Sequence, residues 1–542
     1  MCSLPLARTF GLFHGSNSLP TRETLGAINP SLRTDTVCGT LPATSQGGLS
    51  VKIHSSGFVE INMHSEAVVR PNLVLGICCL SLLMVGMDVT IVNVALPAIQ
   101  REFHAGVSRL QWLMDAYTLA VASLLILAGS TADRLGRRRI FQTGMVLFTF
   151  ASLLCSLAPG INSLIAARAL QGMGASMLNP VAMSIITNTF QEPKARARAI
   201  GVWGAMVGLA FAIGPLLGGA LTQFVGWRSI FWINLPIGIS AMVLAARFVP
   251  ESKAAKPRAV DGIGQFLILI GLASLTYAII EGPHSGWNSV GIEGSFVVSI
   301  IAIVSLIFYE RRCTDPLLDL RFFHSVPFSS ATVIAVCAFS AFAAFLLLNA
   351  LYLQQVRGFP PLISGICTLP LALMTILCAP LSGRLVGAYG ILPSLLLAGL
   401  ATLISALLLT RLAADTPVPM LLLTYVVYGA GFAIVNIPIT HTAVSGMPKS
   451  QAGVAAAIAS TSRQVGAGLG IAVAGTIIGV RQAHGLSFTQ ATHAVWWIMA
   501  ACGTTIGLLG WVSHTSWAKQ TAQRVAHLLT DHATEPSTGE TR

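Results

Sequence analysis

Apolar runs of about 20 residues recur from residue 72 to residue 513, and no other feature restricts the possible folds so tightly. A run of that length crosses a hydrocarbon layer as a helix, because every backbone N–H and C=O there must bond internally. Only 10% of the residues are charged against 54% hydrophobic, far from the roughly 25% charged of soluble domains. The expected fold class is therefore all-α, a polytopic membrane protein.

Fourteen candidate spans are legible between residues 72 and 513. An even count places both termini on one side. With the N-terminus inside, the even-numbered connections carry 16 Lys and Arg residues and the opposite connections 6, which orients both ends to the cytoplasm by the positive-inside rule. The same rule accounts for the net charge of +12, so nucleic-acid binding is not expected. Ten cysteines follow no framework or metal-ligand spacing, and no metal or cofactor is expected. Residues 1–66 are rich in Ser, Thr, Gly and Pro without an apolar core, and read as a disordered tail, with Met63 an alternative start.

Ionised side chains inside apolar spans are costly, by at least about 2.5–3.5 kcal/mol each, and each one retained is a functional candidate. Asp88 in the first span, Asp115 in the second, Arg168 in the fourth and Arg463 in the thirteenth are the clear cases, with Glu281 at the outer end of the seventh. Counting residues from the span ends puts Asp88 about 14 Å and Asp115 and Arg168 about 9 Å below the outer face. One shared polar cavity is expected, in which Arg168 neutralises Asp88 or Asp115. Arg168, Gln171, Gly172, Ala175 and Asn179 fall on one helical face. On the first span Thr90, Asn93 and Pro97 share a face, while Asp88 lies about 160° from Thr90 and addresses a different neighbour. Trp112 and Tyr117 flank Asp115 and, with Asn93, Gln171 and Asn179, are candidate cavity residues; an acid beside aromatic faces suits lipophilic cations.

Glycines give a second signal. In the fifth span Gly204 and Gly208 lie four apart, as do Gly214 and Gly218, with Pro215 between the latter two; Gly466, Gly470, Gly475 and Gly479 repeat the pattern in the thirteenth. Small residues at that interval let helix backbones approach closely.

Four motifs in order carry a family resemblance. GSTADRLGRRRI, Gly129 to Ile140, resembles the signature loop of the major facilitator superfamily, and MDVTIVNVALP, Met87 to Pro97, the first-helix motif of its fourteen-helix drug:proton antiporters. RALQGMGAS, Arg168 to Ser176, is similar to the motif whose arginine is linked to proton transfer, and Gly208 to Gly219 to the glycine-proline antiporter motif. The stretches Trp227 to Gly238 and Tyr309 to Phe323 also look like this branch. The resemblance implies two six-helix bundles, 72–248 and 326–513, with an inserted hairpin, 262–309, and a cytoplasmic tail, 514–542. It implies a gating loop of Gly129, Asp133, Arg134, Gly136, Arg137 and Arg138, and an antiporter motif of Gly208, Gly214, Pro215, Gly218 and Gly219. Where the loop should recur in the second half, PLSGRLVGAYG has Gly383 in place of the acid.

No lysine follows a glycine, so a nucleotide-hydrolysing P-loop is absent and an ion gradient is the expected energy source. A desolvated carboxylate near a movable cation can load and release a proton, which assigns coupling to Asp88, Asp115 and Arg168. The expected function is proton-coupled export of hydrophobic, neutral or monocationic drugs or natural products across the cell membrane by a monomer. The nearest alternative is an uptake symporter of the same fold, and a non-transporting sensor or scaffold is a more distant one. A membrane-embedded enzyme is disfavoured, since no His, Cys or acid cluster falls in the spans.

Overall fold

The computed structural model describes residues 49–53, 59–63, 70–254, 261–313, 319–445, 447–448 and 451–534. The expectations for most of the first 66 residues, for Lys256, Arg258 and Lys449, and for 535–542 lie outside these.

Within residues 1–69, which form a unit of their own, β1 (Leu49–Ile53) and β2 (Val59–Met63) make an antiparallel pair with Leu49 opposite Met63 and Ile53 opposite Val59. The sequence reading expects disorder here. The correction has a local cause: VKI and VEI carry β-branched residues that favour extended backbone, though such a pair is marginal by itself.

The second unit, from Arg70 onward, is helical. The first bundle comprises α1 (Pro71–Phe103), α2 (Val107–Leu135), α3 (Arg137–Leu157), α4 (Ile161–Thr189), α5 (Pro193–Phe224) and a sixth crossing broken at Ile233 into α6 (Ser229–Trp232) and α7 (Asn234–Phe248). The hairpin is α8 (Gly262–Ser285) and α9 (Val290–Glu310). The second bundle comprises α10 (Val326–Leu351), a crossing divided into α11 (Pro361–Cys367) and α12 (Leu369–Tyr389), then α13 (Ile391–Leu409), α14 (Val418–Val444), α15 (Ala452–Ala483) and α16 (Phe488–His514). Thirteen of these crossings are long and apolar enough for a membrane by composition alone. α4 is the fourteenth, 29 residues long but made more polar by Asn162, Arg168, Gln171 and Asn179.

The two bundles meet along two seams. α2 packs on α15, and α5 on α11 and α12, while the hairpin lies against α2 and α15 through α8. α5 shows how glycine spacing sets this up. Gly214 and Gly218 face α1 so closely that added Cβ atoms would strike Thr90 Oγ1 and, at 2.7 Å, Ile91. Gly208 and Gly219, on another face, turn to the second bundle, where their Cβ atoms would come 2.9 Å from Ile376 and 2.5 Å from the Pro361 carbonyl. α15 repeats the plan in the second bundle. Gly466 and Gly470 pack on the α10 backbone at Val336 and Ser340, while Gly468 and Gly475 face Asp115 and Gln111 of α2.

The tail beyond residue 514 contains α17 (Ser516–Thr534), where the sequence reading has only a tail. Its buried Ala518, Ala522, Val525 and Leu529 recur at helical spacing, and Thr521 accepts a 3.0 Å hydrogen bond from the Val326 amide at the start of α10. One apolar stripe on an otherwise polar helix is too narrow to read as a span, which is why hydropathy passes over it.

Candidate functional site

The centre of the first bundle holds an ion pair with no solvent exposure. Arg168 Nη1 lies 2.5 Å from Asp88 Oδ2, and both side chains are fully buried. The same Nη1 donates to Gln171 Oε1 at 2.7 Å, and the Gln171 amide donates to Asp88 Oδ1 and Ser152 Oγ, each at 2.8 Å. Asn234 adds a 3.2 Å bond to Asp88 Oδ1 from the broken sixth crossing. Tyr117 of α2 closes the assembly, its ring 4.3 Å below the guanidinium carbon. The Asp88 carboxylate therefore accepts from three donors on two helices. An isolated carboxylate at this depth would cost several kcal/mol, and this donor set offsets that penalty.

Asp115 does not join this assembly. The sequence reading places Asp88, Asp115 and Arg168 in one cavity, and the structure corrects it. On α2, Leu113 and Tyr117 face Arg168, and Asp115, two residues from each, is turned about 200° away. It faces the seam with α15, where a Cβ on Gly468 would lie 3.6 Å from its Oδ1. Asp115 is fully buried, and neither carboxylate oxygen has a hydrogen-bond partner among the described residues.

The candidate cavity residues also separate. Trp112 points away from the bundle centre, donating to Glu281 Oε1 of α8 at 2.8 Å; with Arg109, Asn162 and Tyr277 they line an open crevice of about 490 Å³. Its placement with Tyr117 in one cavity is thus corrected, for the angular reason that separates Asp115 from Tyr117. Gln171 and Tyr117 belong to the ion-pair assembly. The Asn93 amide donates to its own helix at Val89, 2.8 Å away, and Asn179 is partly exposed with its carbonyl oxygen unpartnered.

The loop between α2 and α3 is tied down within the first bundle. Arg137 grips Asp133 Oδ1 at 2.9 Å, its amide donates to the Ser252 carbonyl at 2.9 Å, and the Ala254 amide donates to the Asp133 carbonyl. Glu251 accepts from the Arg138 amide at 3.0 Å and lies 3.8 Å from Arg139. Arg134 is exposed and Gly129 sits beside Pro180. Gly136 joins the two helices at φ +120, a conformation in which a side chain is strained, and a Cβ there would lie 2.6 Å from the Glu251 carboxylate. Gly136→Ala should therefore release the 249–254 strap and cut transport about tenfold while insertion persists; faster proteolysis after Arg138, compared with wild type, is the check. Gly390, at φ +80, joins α12 and α13 in the corresponding place, without the acid.

Sequence reasoning misses Asn234, Ser152 and Glu251. Asn234 had a signal, as the only amide of the sixth crossing. Ser152 and Glu251 had none, since a serine in a span is common and an acid after a helix end is ordinary.

Hydrogen bonds between the bundles lie at the end away from this arginine-rich loop. Gln111 donates to the Ala472 carbonyl at 2.7 Å, Gln354 to the Val94 carbonyl at 2.8 Å, and Gln355 to Gln100 at 2.6 Å. Gly365 is pressed against the Pro215 carbonyl at the same end. Two bundles sealed at one end around buried charge is a carrier's arrangement.

The family model of the Major Facilitator Superfamily matches residues 78–471. The chain belongs to that superfamily. This superfamily member is a multi-pass protein of the cell membrane and sits in a family of transporters rather than enzymes. It is 37% identical over 414 residues to the multidrug resistance protein Stp of Mycobacterium tuberculosis, covering 76% of each chain. It is 35% identical over 400 residues to the tetracenomycin C resistance and export protein of Streptomyces glaucescens, covering 74% of each. To the puromycin resistance protein of Streptomyces alboniger it is 36% identical over 403 residues, covering 73% of this chain and 79% of the other. Among solved structures it resembles the human organic anion transporter MFSD10, with a TM-score of 0.55 and 18% identity over 81% of this chain and 99% of the other, a likeness of fold alone.

Proposed function

We propose that this chain exports small hydrophobic compounds from the cell in exchange for protons, by alternating access between its two bundles. The observation that carries this reading is the pairing of Asp88 and Arg168 beside an unpartnered Asp115 at the seam that must open. A buried ion pair with one movable acid nearby couples protonation to helix packing, since each protonation state favours a different arrangement of the same groups. In the closed seam a charge on Asp115 would have no donor, so the acid takes up a proton from the external side while the seam is open to water, and the seam closes over the neutral form. The names of the relatives, which speak of drug resistance and of export, support the direction.

The arginine-rich loop marks the cytoplasmic side by the positive-inside rule, so the sealed end is external and the cavity loads from the cytoplasm. One chain carries both bundles and hence a complete pathway, which supports a functional monomer.

Inverted membrane vesicles test the reading. A fluorescent hydrophobic dye should accumulate in vesicles containing the protein when the interior is acidified, and a protonophore should abolish the accumulation. Dye movement in the opposite direction under the same gradient would instead mean uptake.

A further inference from the structure

The second bundle keeps one cation at depth and no acid to match it. Arg463 lies on α15, and after Glu310 every acid of the chain falls outside the membrane helices. Its Nη2 donates to Thr440 Oγ1 at 2.6 Å and to the Asn436 carbonyl at 3.2 Å, both on α14, while its Nε has no partner. No carboxylate among the described residues pairs with it. Arg168 is matched by an acid and Arg463 is not, so its charge is compensated only by neutral dipoles and by the ring of Phe339, 5.8 Å away.

Beside it stands an aromatic stack that crosses the seam between bundles. Phe342 of α10 and Phe432 of α14 are parallel within 8° at 3.9 Å, Phe211 of α5 stacks on Phe342 at 5.2 Å, and Phe339 meets Phe432 edge-on at 5.3 Å. Arg463, Asn436, Thr440 and Phe339 are partly exposed and lie on the arginine-rich side of this stack, the side not sealed by bundle-to-bundle hydrogen bonds.

We infer that Arg463 and the Phe211–Phe342–Phe432 stack form a cargo site that selects flat aromatic molecules bearing an acidic oxygen, such as a phenolate or enolate. The partly exposed guanidinium supplies the counter-charge, the partly exposed rings of Phe211 and Phe339 supply an apolar surface backed by the buried Phe342 and Phe432, and the oxyanion of the cargo completes the charge balance that the protein leaves open. The selection differs from the cationic preference that Asp115, Trp112 and Tyr117 suggest in sequence, because those three side chains diverge in the structure and Arg463 does not. As a statement of cargo class it rests on the export reading, but binding can be read without transport.

The test uses the full-length protein in nanodiscs and two dyes on one xanthene ring system, fluorescein as the oxyanion and a rhodamine as the cation. Fluorescence anisotropy should show tighter binding of fluorescein at a pH where its phenol is ionised. Arg463→Gln should weaken fluorescein binding about tenfold or more and leave the rhodamine within about twofold, while Phe432→Ala weakens both. Arg463→Lys, which keeps the charge, should retain part of the preference and serves if the glutamine variant does not fold. Equal or better binding of the rhodamine by the wild type, no binding of fluorescein, or unchanged binding by Arg463→Gln would each overturn the inference. Fluorescein that binds as expected, while neither it nor the hydrophobic dye is moved in inverted vesicles, upholds the binding site and defeats the export reading.

Discussion

Asp88→Asn should abolish proton-driven dye accumulation and lower the stability of the folded protein at the same time. The variant keeps the shape of the side chain but leaves the Arg168 guanidinium without a counter-charge in a fully buried position, held by Gln171, the Leu113 carbonyl and the Tyr117 ring. Breaking a buried pair from one side costs about 3–5 kcal/mol, since the remaining charge is uncompensated. Adding Arg168→Gln to Asp88→Asn should recover most of that loss, because two amides can bond to each other and to Ser152 without a net charge. Transport should stay absent in the double variant, since no group in the assembly can then bind a proton. The thermal midpoint in detergent and dye accumulation in vesicles are the two readings. A double variant that transports would remove Asp88 from the coupling scheme, and a single variant as stable as wild type would show that the guanidinium finds another partner.

Gly365→Leu should shift the carrier toward the conformation open at the end sealed here. The glycine lies where a Cβ would strike the Pro215 carbonyl, and the neighbouring Gly219 is 2.5 Å, by the same measure, from the Pro361 carbonyl. Both contacts are backbone on backbone, so no side chain can rotate out of the way. Overpacking of this kind costs about 1–3 kcal/mol in the sealed state and nothing once the bundles part, which changes the population ratio by roughly 5- to 150-fold. Spin labels at positions 100 and 355, whose glutamines are hydrogen-bonded at 2.6 Å, report the change as a lengthened distance by double electron–electron resonance. An unchanged distance distribution would mean that the seam relaxes elsewhere. Gly214→Leu offers a contrast: its contact with Thr90 is internal to the first bundle, so it should lower stability without moving the labels.

The glycines were the most informative local signal after hydropathy. Their four-residue spacing in α5 and α15 announced close packing, and the structure adds the partners, with Gly214 and Gly218 turned to α1 and Gly208 and Gly219 to the opposite bundle. Spacing along one helix fixes which residues share a face, but not which helix that face meets. Asp115 illustrates the same limit. Counting along α2 gives its distance from the helix end, yet its angular position sends it to the α15 seam instead of to Arg168. α17 was illegible for another reason, since one stripe of four apolar residues is below what a hydropathy window detects.

The sequence by itself determined that this chain lives in a bilayer, how many times it crosses, which loops carry the arginines and which charges are retained in the spans. Those properties depend on transfer free energies and helical periodicity, which are local and additive. Only the tertiary structure decided that Arg168 pairs with Asp88, that Asp115 faces Gly468 and that Arg463 lies beside Phe339, at the edge of a phenylalanine cluster drawn from three helices. Such choices arise from rigid helices packing across a seam, where a rotation of one helix by 100° exchanges every partner along its length.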